Sequence, residues 1–428
     1  MRRVYPEPFV ALLAFVLGIW LWDLYFGKNA GYPPGTEEMA LVKIDRDLRL
    51  ADAMADDAAW QRALVGVELP WVTKRKALEA MEKLAREGGL SPQGREAFVM
   101  LKALEDGKMP EGIRTSSEIR ETAERLALHQ GTWWEAKWLE SLEPEDSPGM
   151  DWGPAYKEDM DRLKTRAVAT GAMVSLLGLV GLAFIPSALG CLKEGFFPRF
   201  RGYGEAWSLP LGLVVFMLAT LAWIGFSMTL DLAAGVFPGM HPLAGIALDS
   251  LARVLPAVIV LGLLFRRPSH GIRVLGLVPP VAWRPIFGMF TLLMIFDHLL
   301  RVAMGNVDPN EPGGGLSRGE AGGWGLVYAL VSACVLAPVV EEIVYRGLLF
   351  RSFRNRLGVL PAALLSSAVF AVLHIYDGYG LISVGVFGFS CALLYSGTAS
   401  LTTVIVLHLL YNLSIKLPEW VFYHAPLG

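Results

Sequence analysis

The chain has little cysteine, little histidine and only thin charge outside one stretch, and each scarcity removes a class of protein. Its three cysteines, Cys191, Cys334 and Cys391, all stand in or beside apolar runs. A disulfide framework within the polar part of the chain is therefore excluded, and that part must be held by packing alone. Lys and Arg number 38 against 41 Asp and Glu, and they fall in short clusters rather than an extended stripe, so no nucleic-acid partner is expected. None of the seven histidines opens a His-Glu-x-x-His zinc signature. Tyr376-Asp377 begins like an intramembrane aspartyl pair, but no Gly-x-Gly-Asp follows, and Asp377 beside Gly378 reads as an interfacial turn. Ser390 in Gly388-Phe389-Ser390-Cys391 lacks the flanking glycines of a serine elbow and reads as a helix-packing residue.

What remains is strongly apolar. Hydrophobic residues make up 54% of the 428, while 48 of the 79 charged residues lie between Lys28 and Arg166. That split predicts an all-α protein, a polytopic membrane helical bundle with an inserted helical extracytoplasmic domain. A helix rising about 1.5 Å per residue needs about 20 apolar residues to cross about 30 Å of hydrocarbon. Runs of that kind fall near 9–26, 167–190, 208–232, 251–265, 285–303, 324–350, 359–376, 381–396 and 399–417, a count of nine. The stretch holding Pro238, His241, Pro242 and Asp249 makes one boundary soft, and 251–265 is short for a span. The expected domains are an anchor at 1–26, a soluble helical domain at 27–166, membrane helices at 167–303 and a membrane core at 324–417. Arg2 and Arg3 precede the first run, and Trp20, Trp22 and Tyr25 suit interfacial anchors, so this run is expected to be an uncleaved anchor.

Basic residues set the expected orientation. Lys193, Arg199 and Arg201, then Arg266, Arg267 and Arg273, then Arg351, Arg354 and Arg356 fall in alternate short connections, as cytoplasmic loops should. The Gly305–Gly323 connection, with its run of three glycines, carries almost none. This alternation predicts a multi-pass protein of the cell membrane with 27–166 outside the cytoplasm. Within that block Ser91-Pro92 reads as an N-cap and first turn closing at Gly107. Thr115 with Glu118 reads as a capping box for a helix ending at Gly131, with Ile119, Ala123 and Leu126 as its apolar stripe.

Ionisable residues within a span are the informative feature, because each costs roughly 2.5–3.5 kcal/mol at a helix centre on insertion scales. Ala337-Pro-Val-Val-Glu-Glu-Ile-Val-Tyr-Arg346 places three charges in one apolar helix. Glu342 and Arg346 are four apart and share a face, whereas Glu341 points about 100° away and is left to meet another helix. Pro338 weakens the local backbone ladder and can open that turn to substrate or water. His374 follows Phe370 by four, and His408 precedes Asn412 by four, so each pair projects from one face. A carboxylate, two imidazoles and a carboxamide in a dry site suit amide hydrolysis. Glu341 would take a proton from water, His374 would hold that water or protonate the leaving amine, and His408 with Asn412 would donate to the oxyanion.

At these residues the sequence resembles the CPBP intramembrane proteases, also called the ABI or CAAX prenyl protease type 2-like family. That family's pattern is Glu-Glu-x-x-x-Arg, Phe-x-x-x-His and His-x-x-x-Asn on successive membrane segments. Glu341, Glu342 and Arg346 match the first, Phe370 and His374 the second, His408 and Asn412 the third. The resemblance covers about residues 324–417 and implies an all-helical membrane peptidase. Its catalytic residues would be Glu341, His374, His408 and Asn412, with Glu342 and Arg346 in support. It leaves the large insert before the core without a counterpart.

No cofactor is required in the expected reading; zinc on Glu341, His374 and His408 is the alternative. Expected partners are membrane lipid and a membrane-associated or lipidated peptide or protein substrate, with a protein partner at the extracytoplasmic domain a further option. A transporter, or a non-catalytic scaffold using the same polar cluster, is the rival reading. No second copy of the acidic motif suggests a transporter repeat. Asp297 and Arg301, four apart, read as a pair near the outer end of their helix.

Overall fold

The computed structural model describes residues 6–24, 36–87, 89–107, 116–141, 153–197, 207–236, 240–265, 273–277, 280–304, 316, 321–376 and 378–426, and among them it is helical with no strand. Two compact units result. One gathers residues 1–30, 176–309 and 318–416; the other gathers 31–175, 310–317 and 417–428.

The second unit is built from short amphipathic helices: α2 (Thr36–Ala53), α3 (Ala59–Val65), α4 (Pro70–Glu87), α5 (Pro92–Asp106), α6 (Ser116–Ala127) and α7 (Trp133–Glu140). Ser91 caps α5 by accepting from the Gly94 amide, and Gly107 ends that helix in the left-handed region. Ile119, Ala123 and Leu126 are the buried stripe of α6. That helix closes at Ala127, four residues before the expected Gly131, because His129 turns left-handed at φ 59. Thr115, Gly305, Asp377, Arg199, Arg201, Arg266 and Arg267 lie outside the described residues. In place of disulfides, Arg49 is buried between Asp45 at 2.9 Å and Asp159 at 3.7 Å, under the Tyr156 ring. Asp45 also accepts from the Trp133 amide, and Thr132 with Glu135 forms a capping box for α7.

The first unit opens with α1 (Glu7–Trp22) and takes up the C-terminal part of α8 (Gly153–Leu182). There follow α9 (Ile185–Phe196), α10 (Leu209–Val236), α11 (Pro242–Leu264) and α12 (Trp283–Ala303). The long α13 (Gly322–Leu357) leads to α14 (Val359–Val372), α15 (Gly378–Thr398) and α16 (Leu401–Glu419). Seven helices among the described residues are long and apolar enough to cross a membrane, which makes this a multi-pass membrane protein. The expected count of nine is corrected: α1 and α14 are shorter apolar helices. Their 16 and 14 residues reach about 24 and 21 Å. The expected run at 167–190 is broken near Phe184, where α9 starts with Pro186 in its first turn. The run at 251–265 belongs to a helix of 23 residues, begun at His241, whose ring nitrogen accepts from the Leu243 amide.

Helix α15 packs on α14 and α9, and α9 packs on α12, so the last helices surround the middle of α13. Arg351 is no loop residue, contrary to the basic-loop expectation. It stands on the last turns of α13, buried over the Trp207 ring and donating to the Val274 carbonyl. The ladder of α13 enters the π register twice. It is α-helical over Gly322–Val331, π-helical over Ser332–Leu336, α-helical over Ala337–Glu341 and π-helical over Glu342–Phe350. Such i→i+5 stretches are uncommon and frequent at functional sites.

Candidate active site

The two glutamates on α13 have different surroundings. Glu342 is fully buried, and its Oε1 accepts from Arg346 at 2.9 Å and from His408 Nδ1 at 2.8 Å. Glu341, one residue back, keeps 25% of its side chain accessible. Its Oε2 lies 3.9 Å from His374 Nε2 and 3.8 Å from His408 Nε2. The helical turn between the two acids thus separates a paired carboxylate from one that faces both imidazoles.

Each imidazole is fixed from behind. His374 Nδ1 is 2.6 Å from the Phe370 carbonyl, which can only accept, so Nδ1 carries the hydrogen. His408 Nδ1 meets a carboxylate in the same way. In the neutral rings both Nε2 atoms are therefore acceptors, and both are turned to Glu341. The separations of 3.8 and 3.9 Å are too long for direct hydrogen bonds and suit one bridging water.

His374 is not within a span, as 359–376 had implied. Helix α14 ends at Val372, and His374 stands in the turn beyond it, capping one of the helix's last carbonyls. The next residue, Ile375, has φ 53, a strained conformation for a β-branched side chain. Phe370 organises the cluster. Its ring lies 4.4 Å from that of His374, 4.8 Å from that of Tyr345 and 6.4 Å from that of His408. The Arg346 guanidinium sits 4.4 Å over the Phe370 ring, whose face serves an Nη2 that has no hydrogen-bond partner among the described residues. Phe387 closes the other side of His408 at 4.7 Å. The Phe-x-x-x-His spacing was the sequence signal for Phe370; Phe387 had none, because it arrives from α15. A methyl on Gly388 would stand 3.0 Å from Phe370 and 3.1 Å from Arg346 Nη2, so the lack of a side chain there lets α15 approach.

Asn412 is one turn beyond His408 on α16, and its Nδ2 donates to the Ala333 carbonyl at 2.8 Å. The sequence of α13 explains why that carbonyl is available. The Ala337 amide, which would reach Ala333 in an α-helix, donates to Ser332 in the π register. The next donor in that register would be residue 338, and Pro338 has no N–H. Pro338 does loosen the ladder, and the carbonyl so released takes the Asn412 side chain.

Asp297 accepts from Ser383 at 2.7 Å, so it is tied across to α15, a bond the Asp297–Arg301 spacing did not suggest. Zinc would need Glu341, His374 and His408 as ligands. Two ligands about 2.0–2.2 Å from a tetrahedral zinc stand roughly 3.4 Å apart. The observed 3.8 and 3.9 Å are wider, and among the described residues no three His, Cys, Asp or Glu side chains are gathered as a metal site.

The cluster thus joins one accessible carboxylate to two imidazoles, each held through Nδ1. Residues 323–414 match the family model described as type II CAAX prenyl endopeptidase Rce1-like. The chain is also similar to "Putative membrane peptidase YdiL" of Bacillus subtilis (strain 168), 29% identical over 83 residues, which are 19% of this chain and 34% of the relative. The match thus spans about a third of that relative's length. No solved structure matches. The likeness to the type II CAAX prenyl endopeptidase family is thus one of residues 323–414, about a fifth of the chain.

Proposed function

We propose that the chain is an intramembrane endopeptidase in which Glu341 activates water against a peptide bond of a membrane-associated substrate. The observation that carries this reading is the meeting of Glu341 Oε2 with two Nε2 atoms at 3.8 and 3.9 Å, both rings being held through Nδ1. A water in that gap gives one hydrogen to Glu341 and turns its oxygen to the scissile carbonyl. His374, on the more accessible side, receives that proton from Glu341 at Nε2 and passes it to the leaving amine. His408 can donate from Nε2 only in its doubly protonated form. Glu342 against Nδ1 supports that form, as the carboxylate of a Ser-His-Asp triad supports its imidazole. Asn412 gives one amide hydrogen to Ala333 and has the second for the oxyanion, a contact worth roughly 2.7–4 kcal/mol per donor. Zinc has no part in this scheme. Residues 27–166 are proposed to lie outside the cytoplasm, on the basic-loop alternation, and to offer a surface for substrate or a partner.

The test is cleavage of a prenylated CAAX peptide and of a membrane-peptide library by the protein in liposomes, with and without chelator. Loss of a general base predicts that Glu341→Gln slows cleavage by about 10²–10⁴-fold. Chelator should leave the wild-type rate unchanged. Cleavage that persists in Glu341→Gln refutes the assignment of the base. Cleavage lost to chelator and restored by zinc refutes the metal-free scheme. Substrate-independent ion flux through the wild type, with no cleavage, would move the polar cluster to a transport role.

A further inference from the structure

Helix α3 is anomalous within its unit: it is a seven-residue segment, Ala-Trp-Gln-Arg-Ala-Leu-Val, and buries none of its side chains. Two contacts fix its course along α8. Asp57, just before α3, pairs with Lys164 at 2.7 Å. Seven residues later Leu64 lies against Gly171, where an added methyl would come within 2.7 Å of the Leu64 carbonyl oxygen. Seven residues on each side correspond, so α3 runs alongside α8 in the same direction for about 10 Å. Arg166 is the last charge on α8, and the stretch 167–182 is uncharged and mostly apolar, with Thr170 and Ser175 its only polar side chains. Gly171 is five residues past that charge, or about 7 Å along the axis. The end of α3 therefore lies at the level of the membrane-crossing part of α8.

Its sequence suits that level. No charge occurs between Arg62 and Glu68, and Glu68 is paired with Lys76 at 2.9 Å. Trp60 is 68% exposed and Trp71, at the start of α4, is 58% exposed. Arg75 covers the Trp71 ring at 5.6 Å and leaves its charge at the surface. Tryptophans flanking an apolar tip, with cations behind them, are the composition of a segment seated at a lipid interface, and such segments sink about 5–10 Å.

We propose that residues 63–67, flanked by Trp60 and Trp71, dip into the bilayer beside α8 and seat this helical unit on the lipid surface. The occupant of the exposed face is lipid, because the face continues the apolar surface of a helix that itself crosses the membrane.

The experiment uses the full chain in lipid nanodiscs. Cys191, Cys334 and Cys391 are replaced by alanine, and a single cysteine introduced by Ala63→Cys carries an environment-sensitive fluorophore. The control is Leu128→Cys, a position 66% exposed and next to His129, which contacts Asp159. That contact lies twelve residues up α8 from Gly171, about 18 Å away. The expected result is blue-shifted emission at 63, quenched several-fold more by nitroxide-bearing lipids than at 128 and several-fold less by aqueous iodide. Equal iodide quenching at both positions overturns the proposal. Protection at 63 from both quenchers also overturns it, since that would mean protein covers the tip. If the label at 63 prevents folding, Trp71→Cys carries the same comparison with the same outcomes.

Discussion

The link between Pro338 and Asn412 makes a prediction that can be worked through in free energy. In the wild type the Ala333 carbonyl, unserved by its own helix, accepts from Asn412 at 2.8 Å. Asn412→Ala strands that carbonyl, a loss of about 1–3 kcal/mol for a buried unsatisfied group. Interhelical polar contacts in membranes average nearer 0.6 kcal/mol, so about 1 kcal/mol is the expected fall in stability. Pro338→Ala supplies an N–H in the register that reaches Ala333. In the Asn412→Ala background it should restore about the same 1 kcal/mol, beyond whatever it gives to the wild type, because the carbonyl is paired again. The assay is reversible unfolding of the four proteins in bicelles by titration with a denaturing detergent. A coupling of about 1 kcal/mol is the expected result, against the roughly 0.3–0.5 kcal/mol scatter of independent sites. Additive losses, or a double variant less stable than Asn412→Ala, would refute the reasoning. Activity gives a second reading of the same cycle. Pro338→Ala should lower kcat by competing for the carbonyl that orients Asn412, and should lower it no further once Asn412 is gone.

Other consequences can be checked on the same preparation. Glu342→Ala leaves Arg346 buried without its partner and His408 without its orienting acceptor; stability should fall by about 3–5 kcal/mol, measured by the same unfolding titration. Gly388→Ala drives a methyl against Phe370 and Arg346, so about 1–3 kcal/mol should be lost together with most activity, while Gly262→Ala, where an added methyl meets nothing, should change neither. Arg49→Met takes the buried guanidinium away from Asp45 and Asp159, leaving them the Trp133 amide and His129. Limited proteolysis between residues 36 and 141 should accelerate, with about 3–5 kcal/mol lost from that unit.

The sequence was most readable where single residues violate their surroundings. Charges in an apolar run must be explained wherever they fall, and Glu341, Glu342, Arg346, His374 and His408 were all found by that test and meet in the structure. Helix spacing also gave the Glu342–Arg346 pair, since i and i+4 are neighbours on any α-like turn. What it missed came from other elements or from a change of ladder. The acceptance of His408 Nδ1 by Glu342 is a contact between α13 and α16. Phe387 reaches His408 from α15, and Asp297 reaches Ser383 across to the same helix. Asn412 was legible as a donor, but its acceptor depends on a π stretch that no periodicity discloses. The count of membrane helices erred on α14 because apolar composition runs on through the turn that ends it. His374 and Tyr376 are apolar enough in context to extend a hydropathy run, although the helix has already ended at Val372.

The alternation of ladders along α13 makes this site a matter of phase. Glu341 and Glu342 are chemically the same group, and only the azimuth of the helix assigns one to the imidazoles and the other to the buried guanidinium. A π stretch differs from an α turn by one residue, and here one such stretch precedes the pair and a second begins at Glu342 itself. Removing one residue from the α-helical turn at 337–340, which has no spare residue to absorb the loss, would turn the two acids by about 100° relative to everything before them. Every motif residue would survive in the sequence, and the wrong carboxylate would face the water. A homologue can therefore keep each letter of the pattern and still have lost the reaction through a single deletion upstream of it.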